Sequence, residues 1–487
     1  MPTLHRVRIH AVMAAIGFSL ATLLAPFGAC AATNVIAVGK EKQLFLDELF
    51  FGYATNVSLR LHPARKTGER ILEADQPWEN ASLNWFSVLQ TQGKFRMWYE
   101  CYDVEGWPTT NDTSFCYAES VDGRHWTKPT LNLFPYHGSR RNNILFREIG
   151  PSGAYSRVHG AGVFLDPAAA PEARYKCVSQ GMFAQRQPPY RIAGMTSPDG
   201  LHWTRLPSPI CDVFADSQYS AFWDVGVNAY VLYGRVSGRG RALGRTVSRD
   251  FTRFEPPQLV LENEPARDLY NPAAIKYAGA ANAYLMFPSV YDHPSDTLEI
   301  HLAVSRDGVH WRFPDPRIPF IARGNPGEFD SGSLYLGQGI VNMRDELWHY
   351  YSGSPLKHEQ ANLDLMTLPA NRRRYSRAVL REDGYVSVQA GEHAGILTTP
   401  PLQIQGRRLE LNVAVQPGGS LRVGLLDAAG NPIPGLSPDD CVPVTGDRIR
   451  QRVQWRSKAK LAAHTGSPVC LTFRLARANL FAFQFRG

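Results

Sequence analysis

One phrase recurs along this chain and limits what it can fold into. Ser120-Val121-Asp122-Gly123-Arg124-His125-Trp126 returns as Ser197-Pro198-Asp199-Gly200-Leu201-His202-Trp203 and as Ser305-Arg306-Asp307-Gly308-Val309-His310-Trp311. A worn copy stands at Ser248-Arg249-Asp250-Phe251-Thr252-Arg253-Phe254. Recurrence at fixed texture means an array of similar units, each too small to bury its own apolar face. Asp-Gly is the chemistry of a tight hairpin turn, because glycine enters positive φ without a Cβ clash. The aromatic after the turn can then fold back between neighbouring units. These residues read as scaffold, outside any active site.

A second repeat runs in step with the first. Short aromatic β-type runs stand at Phe95–Tyr99, Tyr175–Val178, Tyr230–Tyr233, Tyr284–Phe287 and Leu347–Tyr351. Each suits one strand of a small sheet, and three or four such strands make a propeller blade. The expectation is an all-β chain: a five-bladed β-propeller over 34–383, then a small antiparallel β-sandwich over 384–487. Blades fall at about 71–129, 143–207, 210–256 and 268–314, with a fifth from 328. In the sandwich, strands are expected at Leu409–Val413, Leu421–Leu426, Val453–Trp455, Val469–Phe473 and Leu480–Phe483. Gly418-Gly419 and 429–432 are the expected turns between them.

The first 31 residues read as a signal peptide. Arg6 and Arg8 precede an apolar run that ends at Ala29-Cys30-Ala31, a small-x-small cleavage site. The run is too short for a membrane span. Export to the periplasm or medium is expected, with a lipid anchor at Cys30 ranked second. The remaining six cysteines are even in number, and Cys101–Cys116 or Cys441–Cys470 could pair in an oxidising compartment. The net charge of +8 is scattered, and no basic stripe interleaved with aromatics exists, which argues against nucleic acid. No metal-binding spacing such as C-x-x-C or H-E-x-x-H occurs.

Chemistry in a propeller belongs where the inner strands converge on the axis. Polar residues recur before the aromatic strand of each unit. They are Glu79, Asn84 and Trp85 in the first, and Arg157 and His159 in the second. Asp216 and Gln218 follow in the third, Asp268 and Tyr270 in the fourth, and Glu328 and Asp330 in the fifth. Asp216, Asp268, Glu328 and Asp330 are the catalytic candidates, with one face of the Gly-flanked 328–330 segment expected to serve. Glu79, Asn84, Trp85, His159, Gln218 and Tyr270 are candidates for holding substrate. Each has a plain alternative. Asp216 suits a turn cap, Asp268 a salt-bridged turn after Arg267, and His159 a hydrogen-bonded core position. Trp78, Trp85 and Trp223 would serve inter-blade packing as well as sugar stacking.

This layout resembles the five-bladed propeller glycoside hydrolases, the superfamily of invertases, arabinanases, β-xylosidases and mannoside phosphorylases. The resemblance is architectural over about 43–353, and the trailing region is similar to the C-terminal domain of invertase-type members. It implies an exported glycosidase acting on an oligo- or polysaccharide. It also implies three acids around the funnel: an early base or nucleophile, a middle Asp and a late Glu. No cofactor is expected. Some relatives hold a central calcium, for which no ligand set is legible here. The early acid departs from the pattern, because Asn84 stands where invertases carry Asn-Asp-Pro, leaving Glu79, Asp47 or nothing. A carbohydrate-binding propeller without catalysis is therefore the first rival. A sialidase-like enzyme, needing clustered arginines and a tyrosine nucleophile, is the second; sialidase Asp boxes run Ser-x-Asp-x-Gly-x-x-Trp, a different spacing.

Overall fold

The computed structural model describes residues 34–103, 113–149, 155–156, 158–359 and 373–487. The signal-peptide segment, Cys30 and Arg157 lie outside these. The described chain is all-β, with only short helical turns between strands.

Four antiparallel sheets of blade size follow one another. The first joins Ser82–Thr91, Lys94–Tyr102, Ser114–Ser120 and Ile144–Phe146; the second is built on His159–Leu165, Tyr175–Met182 and Tyr190–Ser197. The third runs Ser220–Asp224, Ala229–Gly238, Gly240–Ser248 and Gln258–Leu261. The fourth is smaller, with Ile275–Lys276, Tyr284–Met286, Ala303–Ser305 and Trp311–Arg312. In each, the aromatic run read from sequence is the second strand, and the Ser-x-Asp turn follows the third.

The expected fifth separate blade does not form. Its strands, Ser333–Leu336, Glu346–Ser354 and Arg374–Arg381, belong to an eight-stranded sheet. There Thr297–Ile300 joins the inner edge in parallel register at Leu298 and Ser333, while Arg65–Lys66 pairs the outer edge. Four blades are therefore separate sheets, and the fifth repeat is merged with strands from its neighbour. Nothing in a local aromatic run announces such a merger.

The turns explain how the sheets meet. In the third copy the Asp307 carboxylate accepts the amides of Val309 and His310, both at 2.8 Å, and the His310 imidazole at 2.6 Å. Gly308 sits at φ +75°, and a Cβ there would meet the Tyr233 hydroxyl at 2.8 Å. Its carbonyl accepts that hydroxyl at 2.6 Å from the third blade. Trp98 donates to the Gly200 carbonyl at 2.6 Å, and Tyr350 to the Gly123 carbonyl at 2.9 Å. Trp311, Trp203 and Trp126 then pack edge-on against Tyr233, Phe115 and Tyr350 of the adjoining sheets. The repeated phrase is thus the joint between sheets, as its composition suggested.

Near the axis, polar bonds stitch the inner strands. Gln218 donates to the carbonyls of Phe86 and Ala161, each at 2.9 Å, and Asn271 donates to Leu336 at 2.9 Å. The Gln338 amide donates to Phe86, and the Val88 amide returns to Gln338 at 2.8 Å. Buried apolar residues fill the spaces between neighbouring sheets.

Beyond residue 384 the expected two-sheet sandwich is not what the hydrogen bonds define. A single ten-stranded sheet forms around its own buried core. Two long strands dominate it. Arg408–Asp427 absorbs two of the expected strands, and Gly418-Gly419 lies at a bulge within it instead of a turn. Pro468–Arg486 absorbs two more. Residues 36–61, read with the propeller, pair into this sheet instead, through Ile36–Gly39, Gln43–Leu44, Tyr53–Thr55 and Ser58–Leu61. Cys101, Cys116 and Cys441 are free, so neither expected pair is bridged. Among the described residues no helix is long and apolar enough to cross a membrane.

Candidate active site

At one end of the ring axis, side chains from every unit meet. Asp216 enters from the segment before the third blade. Its Oδ2 accepts Arg235 at 3.0 Å, and its Oδ1 stands 3.6 Å from Nε2 of His159. The Asp216 side chain keeps 43% of its surface exposed. Asp268, on Arg267–Leu269, accepts the Arg241 amide at 2.9 Å and its guanidinium at 2.8 Å, with His293 Nε2 at 3.3 Å. Burial pushes the Asp268 carboxyl up, but these contacts outweigh it and hold the group below the usual carboxylate range.

The two arginines sit on the paired strands Ala229–Gly238 and Gly240–Ser248, near the turn that joins them, where they reach the two acids. Arg241 also lies over the Tyr270 ring, 5.1 Å from its centroid. Tyr270 donates to or accepts from His358 at 2.7 Å, and Tyr335 bonds the other imidazole nitrogen at 3.1 Å. Burial and the charges of Arg373 and Arg241 push His358 down to about 4, so it is neutral at pH 7 and bridges the two hydroxyls. Trp85 packs edge-on against Tyr335 with ring centroids 4.5 Å apart, and Arg373 lies over the opposite part of that ring system at 5.0 Å.

A third acid completes the cluster. Glu100, fully buried on Lys94–Tyr102, accepts His159 Nδ1 at 2.7 Å and the Gly160 amide at 3.0 Å. The Tyr102 hydroxyl stands 3.3 Å from the same imidazole nitrogen and accepts Asn84 at 2.7 Å. Burial raises the Glu100 carboxyl, yet His159, Tyr102 and the Gly160 amide together hold it low. Gly160 is required by the approach: at φ +65°, its Cβ would run into the Ser217 carbonyl.

Of the residues named from sequence, the structure brings together Asp216, Asp268, Asn84, Trp85, His159 and Tyr270. Four lie elsewhere. Asp330 is buried against Lys66 and the Tyr351 hydroxyl, each at 2.9 Å, on the outer side of the eight-stranded sheet. Glu328 is exposed and caps its own turn through the Asn325 amide at 2.8 Å. Glu79 closes a buried knot with Lys128 at 2.6 Å and Tyr99 at 2.5 Å, and Gln218 is an axial stitch. Asp47 pairs with Arg306 at 2.8 Å and caps a helical turn. Trp78 donates to Asn143 at 2.9 Å and Trp223 packs on Tyr230, both as scaffold.

Glu100, Tyr102, Arg235, Arg241, His293, Tyr335, His358 and Arg373 complete the cluster. The legible signal among these was a charge closing a greasy strand, as Glu100 closes Met97-Trp98-Tyr99 and Arg235 closes Tyr230–Gly234. Among the described residues the buried amide oxygens of Gln218 and Gln338 have no hydrogen-bond partner. Among the described residues no group of His, Cys, Asp and Glu could hold a metal ion. Two amide oxygens fall short of the six to eight oxygens that calcium takes, and no step is assigned to an ion.

No protein-family model matches the chain, and no curated protein is similar to it. Solved structures share its arrangement remotely. A glycosyl hydrolase from Bacteroides ovatus is 13% identical, with a TM-score of 0.46 over 70% of this chain and 96% of its own. A structure described for the GH130 family of mannoside phosphorylases, with glycoside hydrolases that target β-1,2 mannosidic linkages in Candida mannan, gives the same values. An N-acetylgalactosamine deacetylase from F. plautii, bound to blood group B trisaccharide, is 15% identical. Its TM-score is 0.42 over 66% of this chain and 95% of its own. Likeness this remote decides nothing about the chemistry of the cluster.

Proposed function

We propose that the protein is an exported glycoside hydrolase acting on an oligo- or polysaccharide, with Asp216 and Asp268 as the carboxylates at the reacting bond. One observation carries the reading: two acids from successive units, far apart in sequence, stand in one open cluster beside histidines and tyrosines. Arginine pairing holds the Asp268 carboxyl below the usual carboxylate range, and Asp216 accepts Arg235 at 3.0 Å. Ionised carboxylates are suited to stabilise the positive charge that develops at the anomeric carbon, or to serve as base or nucleophile. Trp85, Tyr270 and Tyr335 give the site an aromatic wall. In this reading residues 1–31 act as the leader.

The test is a panel of neutral, uronate-bearing and sialylated glycans, with products separated by chromatography. Asp216→Asn and Asp268→Asn should each lower kcat at least about 100-fold without loss of folded signal. Cleavage that survives both changes undamaged rejects the assignment. A second reading, a glycan-binding propeller without catalysis, draws on the arginine pairing itself, since it holds the Asp268 carboxyl low and so ionised where a proton donor would be needed. Retention of a glycan without any cleavage would select it.

A further inference from the structure

Four buried carboxylates of the ring are neutralised by lysine. Asp166 takes Lys176 at 3.2 Å, Asp224 takes Lys276 at 2.5 Å, Asp330 takes Lys66 at 2.9 Å and Glu79 takes Lys128 at 2.6 Å. Glu100 is as deeply buried as any of them, and its basic partner is His159. A lysine carries its charge permanently at neutral pH, whereas an imidazole gains and loses a proton there. Glu100 backs onto the cluster, and the other nitrogen of its imidazole partner is turned to Asp216, 3.6 Å away, whereas Asp268, also buried there, takes Arg241.

We propose that Glu100, His159 and Asp216 form a proton relay, with His159 the positioning residue that takes up the proton Asp216 removes from a bound water. The inference rests on the reading that Asp216 meets substrate. In the step, the water O–H bond breaks as its oxygen bonds the anomeric carbon. Its proton passes to Asp216 Oδ1 and on to His159 Nε2, while Nδ1–H stays on Glu100. The leaving oxygen takes the bonding pair and a proton from bulk water, to which the imidazolium returns its own. Both oxygens of Glu100 are engaged: Oε1 holds the imidazole and Oε2 accepts the Gly160 amide, which fixes the carboxylate against the ring. Glu100 and Tyr102 face His159 from Lys94–Tyr102, with Asn84 behind them. Asp216 faces it from the third unit, with Arg235 beyond.

The test reads the imidazole directly. In the full chain, labelled with 15N-histidine and assigned by His159→Gln, His159 should titrate at least one unit above the ordinary 6.5 and carry Nδ1–H when neutral. Glu100→Gln should cut its proton affinity at least tenfold, and the exposed Asp216→Asn should shift it in the same direction without risk to the fold. Titration at or below 6.5, or no shift in Asp216→Asn, overturns the relay. Where a glycan is cleaved, Glu100→Gln should lower kcat at unchanged KM and move the acidic limb of the kcat/KM profile to lower pH. A fall in rate with an unmoved limb also overturns it. Coupled titration in a protein that cleaves no glycan in the panel rejects the glycosidase reading and the hydrolytic step with it, and leaves only the proton coupling of Glu100, His159 and Asp216 standing.

Discussion

Glu79 and Glu100 show how far a single residue can be read. Both are wholly buried acids of the first unit, 20 or so positions apart, and only one faces the cluster. Glu79 looked suitable from its place before an inner strand, yet its carboxylate accepts Lys128, Tyr99 and two backbone amides. Removing the cation alone should be costly. Lys128→Met is expected to lower stability by about 3–5 kcal/mol in urea unfolding, because it strands a buried charge. Substrate handling should be unaffected. Asp216 and Asp268 were legible because their partners, Arg235 and Arg241, follow or precede them within about 30 residues. Asp330 was not, because the lysine that draws it outward lies 264 positions away. A residue's direction depends on its partner, and distant partners leave no local trace.

At the scale of elements, the Ser-x-Asp-Gly turns were read correctly because the bonds that shape the turn itself are local. Asp199 repeats the pattern of Asp307, accepting the amides of Leu201 and His202 at 2.8 and 2.9 Å. Asp199→Ala should cost about 1 kcal/mol, as loss of a comparable cap does. Gly308→Ala should cost more, about 1–3 kcal/mol, since it strains the backbone and displaces the Tyr233 hydroxyl. Both are checked by denaturant midpoints, and equal effects would argue that the joint between sheets adds nothing to the turn. The long strands of the C-terminal sheet were misread for a related reason. Gly418-Gly419 carries the same turn chemistry, but there it relaxes a bulge, and only pairing with residues 476–478 decides between the two.

For the whole molecule, acid sensitivity follows from four histidines held neutral. Burial pushes His62, His301 and His358 down to about 4 and His349 to about 3. Their unfolded forms titrate near 6.5, so the unfolded chain binds more protons below that pH. Stability is full above about 6.5 and is lost as pH falls toward 4, each histidine removing about 1.4 kcal/mol per unit. His349→Gln should make the urea midpoint less steep between pH 6.5 and 4; an unchanged slope would refute the assignment. Asp199, held near 2 in spite of burial by its turn amides and His202, adds a further loss only below about pH 4. The all-β class and the repeat were legible at this scale, since both rest on local texture. The path of residues 36–66 was not, because they carry ordinary short strands whose partners come from the far half of the chain. Deleting residues 34–66 should therefore abolish cooperative unfolding of both sheets, where a simple two-domain layout would lose one.

The strand Pro468–Arg486 is the hub of its sheet and is made after every strand it holds; Gln484 reaches back 444 positions to Lys40. Early strands must wait unclaimed while the ring assembles around them. Such an order favours slow maturation governed by one distant closure. It also means that a protease cutting anywhere in the late segment would loosen a seam laid down by the earliest.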